Sequence, residues 1–123
     1  MKHILIALAV LCTVIVGITA ANAKEPADMA GIGTASCAEF AQDYYHNPAV
    51  AETAYTDWLL GFLTGANITA SALNKPERNI GAWSIRDIKS NMRDYCNDHP
   101  LASYIEAAIE LFKQLPVMPK ADS

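Results

Sequence analysis

The sequence has few basic residues, histidines and cysteines, and each shortage argues against a class of function. Nine lysine and arginine residues stand against 13 acidic ones, for a formal charge of −4. Phosphate contacts need concentrated positive charge, so an acidic chain without a basic cluster is a poor binder of nucleic acid and of anionic lipid surfaces. Three histidines and three cysteines leave little material for a metal centre or a catalytic constellation. No segment alternates apolar and polar residues with period two, so no β-strand is predicted.

The first 23 residues have the three-part pattern of a secretory signal peptide. A short basic start is followed by the apolar run of residues 4–18, and Ala21 and Ala23 form an A-x-A cleavage site. The alternative is an uncleaved anchor helix, but the run is shorter than the about 20 apolar residues that a membrane span requires. We therefore expect export, cleavage after Ala23 and a mature protein in the periplasm, no longer attached to the membrane. Loss of Lys2 with the signal peptide changes the formal charge from −4 to −5.

The remaining chain has room for a single domain with one modest core. Pro26, Gly31 and Gly33 interrupt the segment after the cleavage site, which shows no apolar period. The predicted organisation is a signal peptide over residues 1–23, a flexible leader over 24–35, a helical domain over 36–116 and a C-terminal tail over 117–123.

Helix start and stop patterns predict an all-α fold, a small four-helix bundle. Ser36 with Glu39 matches a capping box, Pro48 suits the first position of a helix, and Ser84 is a good N-cap. Pro100 is taken as the start of the last helix, whose apolar stripe would contain Leu101, Ile105, Ala108, Phe112 and Leu115. The predicted helices cover approximately residues 37–46, 48–73, 85–97 and 100–115.

The second helix is the most apolar of the four. Residues 58–74 carry no charge, and bulky side chains between Trp58 and Leu63 cover most of the helix circumference, so burial on several sides is expected. Gly61 and Gly65 would allow another helix to approach closely. The candidate protein-binding residues are aromatic and aliphatic side chains of this helix together with one tryptophan after it: Trp58, Leu59, Phe62, Leu63 and Trp83.

Cleavage of the signal peptide leaves two cysteines, Cys37 and Cys96, in an exported chain. An even number in an oxidising compartment favours a disulfide. The alternative is a Cys₂His₂ zinc site with His46 and His99, but the spacing fits no common zinc pattern. No metal or other cofactor is therefore predicted.

No catalytic constellation is visible in the sequence. Asp57, beside Trp58, has the position of a carboxylate with a raised pKa, but a solvated aspartate on a helix face is the commoner case. The sequence therefore favours a non-enzymatic protein that binds other proteins.

Three short motifs resemble the HdeA/HdeB family of periplasmic acid-stress chaperones. They are Ser36-Cys37-Ala38-Glu39-Phe40 at the first helix, Trp58 in the second, and Tyr95-Cys96-Asn97-Asp98-His99-Pro100 before the last. The resemblance implies a bond between Cys37 and Cys96, acid-denatured proteins as clients and a chaperone activity during acid stress. We also expect a homodimer near neutral pH that hides part of the surface between Trp58 and Leu63.

The chain also resembles periplasmic immunity proteins that neutralise type VI secretion effectors. The spacing of Trp58, Gly61 and Gly65 in the central helix carries this resemblance. It implies tight capture of one cognate effector, for which the polar loop 75–83, ending in Trp83, is the candidate surface. The alternative is that this loop is a plain connector and that Trp83 packs as a hydrophobic staple ahead of Ser84.

Overall fold

The computed structural model describes residues 28–119 and contains no β-strand among them. Four α-helices account for most of the described chain, and two 3₁₀ turns precede α1 and α3. The predicted all-α fold and the predicted number of helices are confirmed. The helices are α1 (Cys37–His46), α2 (Pro48–Ala72), α3 (Ile85–Asp98) and α4 (Tyr104–Gln114), and the 3₁₀ turns are Ile32–Thr34 and Ile80–Ala82.

The predicted capping residues start two of the helices. The Ser36 hydroxyl accepts a hydrogen bond from the Glu39 N–H at 3.1 Å, and the Glu39 carboxylate accepts one from the Ser36 N–H at 2.6 Å. Ser84 accepts from the N–H of Asp87 at 3.2 Å. These side chains satisfy N–H groups that the helices themselves leave without partners.

The predicted start of the last helix at Pro100 is wrong, because α4 begins at Tyr104 behind a second capping box formed by Ser103 and Glu106. The carbonyls of Pro100 and Ala102 instead accept hydrogen bonds from the first N–H groups of α1, at 3.0 and 2.8 Å. Residues 100–103 therefore help to cap α1, and their backbone does not continue into a helix.

The late start also changes which residues of α4 face the core. Leu101, which was expected in the apolar stripe, is 95% exposed. Ile105 and Phe112 are only partly buried. The fully buried residues of α4 and its C-cap are Tyr104, Ala107, Ala108, Leu111 and Leu115.

The core lies where α2 crosses the other helices. Three aromatic rings meet there, with centroids 4.7 Å apart for Phe40 and Tyr55, 5.0 Å for Phe40 and Tyr104, and 4.8 Å for Tyr55 and Tyr104. The tilted and edge-on arrangements of these rings are the favourable ones for aromatic pairs. Below them, Leu59 and Leu63 of α2 are buried against the same core.

The packed part of the chain extends beyond the predicted domain limits of residues 36 and 116. Gly33 is buried within the turn that precedes α1. In the segment expected to be a tail, Val117 forms a β-bridge with Arg78, and the Met118 N–H donates to the Glu77 carbonyl at 2.8 Å.

The predicted signal peptide lies outside the described residues. Within residues 28–119, no helix is both long and apolar enough to cross a membrane.

Candidate functional site

Cys37 and Cys96 are joined by a disulfide, as the sequence predicted. The bond connects the first residue of α1 to the last turn of α3, with the two Cα atoms 4.8 Å apart. Both sulfurs are consumed, so the alternative zinc site has lost its two thiolate ligands. His99 is engaged elsewhere, since its Nδ1 lies 3.0 Å from the carbonyl of Tyr95 and its ring stacks on that residue.

The Trp58 surface, which we define as Trp58 and Phe62, is a stacked aromatic pair on α2, and the chain's own N-terminal turn covers its Trp58 ring. The two rings stack with centroids 5.6 Å apart and planes 12° from parallel. A Cβ atom added to Gly33 would overlap the six-membered ring of Trp58, so the turn lies directly on the indole. This close approach explains why the position carries glycine.

The covering turn is held in place by packing. Its hydrogen bonds are internal: the N–H and hydroxyl of Thr34 both donate to the Gly31 carbonyl, at 3.1 and 2.9 Å. The first described backbone bond to another element occurs at Ala35, whose carbonyl accepts from the Tyr104 N–H at 2.8 Å. Residues 31–34 can therefore leave the indole as a unit without breaking a described hydrogen bond to a helix.

The other candidate residues of α2 do not form part of this surface. Leu59 is 1% exposed and Leu63 is fully buried, so both contact only the protein's own core in the folded state. A partner reaches them only if the helices separate. The five candidates thus divide into a covered aromatic pair, two core leucines and Trp83.

The expectation that α2 is buried on several sides is wrong for its C-terminal half. Gly61 and Gly65 are exposed, and a Cβ atom added at either would meet nothing within 4 Å. Ile68 and Leu73 are 66% and 63% exposed. Because residues 58–74 lack charge, this half presents an uncharged outer face that no described part of the chain covers.

Trp83 is partly buried and packs against the core immediately before the N-cap of α3. The loop that leads to it is fixed by the side chains of Asn67 and Arg78. The Asn67 amide accepts from the N–H of Arg78 and donates to its carbonyl, both at 2.8 Å. The Arg78 guanidinium donates to the Leu115 carbonyl at 3.0 Å. An isolated asparagine in an apolar helix was the only indication of this brace in the sequence.

A second aromatic surface, the α1–α3 groove, lies between α1 and α3 beside the start of α2. It encloses about 600 Å³ and is open to solvent. Its lining combines rings, small side chains and one cation: Phe40, Ala41, Tyr44, Tyr45, Pro48, Arg93, Cys96 and Asn97.

Charge beside the groove is organised around Glu52 of α2. One carboxylate oxygen accepts from Arg93 Nη1 at 2.7 Å, and the other lies 3.6 Å from Lys89 Nζ. Two cations from α3 therefore share one carboxylate from α2. This arrangement ties the two helices together.

The buried hydroxyl groups of the core are poor candidates for acid–base chemistry. Burial raises the pKa of Tyr55 well above its usual range, and its hydroxyl donates to Asp43 at 3.0 Å, which raises the pKa further. Burial likewise raises the pKa of Tyr104.

Asp57 is exposed to solvent, as a helix-face aspartate would be. Within residues 28–119, no three histidine, cysteine or acidic side chains are grouped closely enough to hold a metal ion.

Comparison with known proteins found no match for this chain among protein families, curated proteins or solved structures.

Proposed function

We propose that the protein binds other proteins in the periplasm without catalysing a reaction, and that it holds acid-denatured clients during acid stress. The observation that carries this proposal is the placement of carboxylates. Glu39, Glu52 and Glu106 each stabilise a helix start or a helix–helix contact. Protonation of Glu39 and Glu106 weakens the two helix starts, whereas the disulfide is unaffected by acid.

The two capping carboxylates, Glu39 and Glu106, stabilise their helix starts in the ionised form that is present at neutral pH. Hydrogen bonds from the Ser36 backbone and hydroxyl hold the pKa of Glu39 below its ordinary value. The backbone and hydroxyl of Ser103 do the same for Glu106. A lowered pKa means that these carboxylates stabilise the fold above the unfolded-state pKa, and that this stabilisation is lost as the pH falls through the folded-state pKa.

Acid loosening would expose the residues that a client needs. At about pH 2, carboxyl groups are protonated while lysine, arginine and histidine stay charged. The excess positive charge then favours expansion of the helical domain. Displacement of the 3₁₀ turn uncovers the Trp58 surface, and separation of the helices exposes Leu59 and Leu63. The disulfide still joins α1 to α3 and limits the expansion.

Light scattering of an enzyme that aggregates at about pH 2 tests the proposal. The mature protein is expected to suppress aggregation at an equimolar dose. Phe62→Ser should weaken the suppression, whereas Ile68→Ser, on the exposed part of the same helix, is the matched control. Absence of suppression at equimolar or higher dose would reject the chaperone function.

A second candidate function, immunity against a secreted effector, is favoured by the braced loop 75–83. Besides the Asn67 and Arg78 contacts, the Asn79 N–H donates to the Pro116 carbonyl at 2.7 Å. A loop fixed in this way offers a preformed surface, and preformed surfaces lose little entropy on binding. Trp83 borders a shallow groove beside Asp87 and Asp94, which would suit a basic partner.

Affinity purification of the tagged mature protein from the periplasm at neutral pH separates the two functions. One stoichiometric partner that is lost in Trp83→Ala, but retained in Ile85→Ala, would favour immunity. Weak association with many proteins, appearing only after acidification, would favour the chaperone. Ile85 is a suitable control because it is exposed and lies two residues further along the chain.

A further inference from the structure

We propose that the α1–α3 groove is a binding site for a small amphipathic carboxylate, a molecule with an apolar tail and one carboxylate group. The site is separate from the Trp58 surface and operates in the folded protein at neutral pH. Its volume of about 600 Å³ falls within the range of about 300–1,000 Å³ that is typical of small-molecule sites.

The apolar part of the ligand is specified by the walls of the groove. Tyr44, Tyr45 and Pro48 at the end of α1 and start of α2 present rings to it, and Phe40 lies deeper. Tyr45 is 84% exposed, so its ring is available to a ligand and contributes little to the core. Rings of this kind bury a large apolar area on binding and lose few side-chain rotamers.

The charged part of the ligand is specified by Arg93, the single charged residue in the described lining. Its guanidinium carries five N–H donors, and the described hydrogen bonds use Nη1 toward Glu52. Glu52 is shared with Lys89, so its carboxylate does not neutralise Arg93 alone. A guanidinium with donors to spare is well matched to a carboxylate, whereas an ammonium group would be repelled.

The groove is also preorganised. Cys96 lines it and is bonded to Cys37, so the disulfide holds the two helices that form its walls. The Arg93 guanidinium lies 5.8 Å from the centroid of the Tyr44 ring, an arrangement that orients the cation. Asn97, in the last turn of α3, adds an amide donor to the polar end. The apolar walls and the cation therefore belong to one cavity of fixed shape.

Isothermal titration calorimetry at pH 7 with decanoate tests this site, with decylammonium and decanol as probes of the charge. We expect decanoate to bind at least 10-fold more tightly than either comparison compound. Equal affinities for decanoate and decylammonium, or no heat of binding up to millimolar decanoate, would overturn the proposal.

Three variants locate the site. Ala41→Leu fills the groove from an exposed position of a helix, and we expect it to weaken decanoate binding at least 10-fold without unfolding the protein. Tyr45→Ala should weaken it several-fold, and Arg93→Gln should remove the preference for decanoate over decanol. The matched control is Arg86→Gln, which removes an exposed arginine of α3 outside the groove. Decanoate binding that Ala41→Leu leaves unchanged would place the ligand elsewhere and refute this assignment.

Discussion

The Trp58 surface and the α1–α3 groove are both aromatic, but they differ in what covers them and in charge. The Trp58 surface belongs to the uncharged stretch of α2, and its Trp58 ring lies under residues 31–34 of the same chain. The groove is open, and an arginine lies at its polar end. The difference indicates that aromatic content alone does not locate a binding site. The covered pair becomes available only after a rearrangement, whereas the groove can accept a ligand in the folded state.

Opening the disulfide is expected to have the largest effect, because both surfaces depend on it. Cys37 begins α1 shortly after the covering turn, and Cys96 lines the groove. The two cysteines are 59 residues apart, and in the chain-entropy treatment a loop of that size contributes about 4 kcal/mol to stability. Urea denaturation with and without reductant measures the loss. The control is the Cys37→Ser/Cys96→Ser double variant, whose stability should not respond to reductant. Equal stability of the oxidised and reduced parent protein would contradict the stabilising role of the disulfide.

A matched pair of glycine substitutions distinguishes the covered surface from open surface on the same helix. Gly33→Ala forces the turn away from Trp58 and should lower the free energy of unfolding by about 2 kcal/mol, a usual cost of overpacking. Gly65→Ala places its methyl group in open space within a helix, and should be neutral or stabilise by up to about 1 kcal/mol.

Tryptophan fluorescence in a Trp83→Phe background reports the position of the turn directly. Gly33→Ala should shift the Trp58 emission to longer wavelength, because the indole gains contact with water. Emission and unfolding identical to those of the parent protein would mean that the turn does not cover the indole in solution.

The pH dependence of stability is a smaller effect that compares the two capping boxes. Because hydrogen bonding lowers the pKa of Glu39 and of Glu106, stability from these groups is present at pH 7 and is lost as the pH falls below about 4.5. Glu39→Gln and Glu106→Gln should each flatten the decrease in unfolding free energy between pH 5 and pH 3. Glu110→Gln, which removes an exposed ion pair with Lys113, is the control, and an equal flattening there would contradict the role of the caps.

The smallest expected effect on stability is that of Tyr45→Ala in the groove. Since Tyr45 is 84% exposed, its removal should change the free energy of unfolding by no more than about 0.5 kcal/mol. Urea denaturation checks this value. A loss well above 1 kcal/mol would show that Tyr45 stabilises the fold, and the groove would then be a packing defect of the core instead of a site.

Local sequence patterns predicted the parts of the fold that depend on local interactions. Ser36 and Ser84 cap helices because a hydroxyl reaches an N–H group three residues away, which the sequence displays directly. The same rule applies to Ser103 and Glu106, but Pro100 offers a competing helix start in the sequence. Tertiary hydrogen bonds from α1 to the carbonyls of Pro100 and Ala102 decide between the two starts.

The sites depended on contacts that no local pattern contains. Gly33 meets Trp58 across 25 positions of sequence, and Asn67 holds the backbone of Arg78 across a loop. The groove arises because α1 and α3 are joined at one end by the disulfide, so its lining comes from three helices. The sequence identified Trp58 and Trp83 as notable residues, but not which surfaces are covered and which are open.

The disulfide also determines the covalent topology of the chain. Together with the main chain between Cys37 and Cys96 it closes a ring that contains α1, α2, the loop 75–83 and nearly all of α3. A protease that cuts the loop 75–83 opens the ring but leaves both pieces linked through sulfur. A cut within residues 99–103 leaves no covalent link to α4. The ring therefore remains one molecule after a single cleavage. A cleaved α4, in contrast, stays bound only if Tyr104, Ala108, Leu111 and the residues around them remain packed in the core.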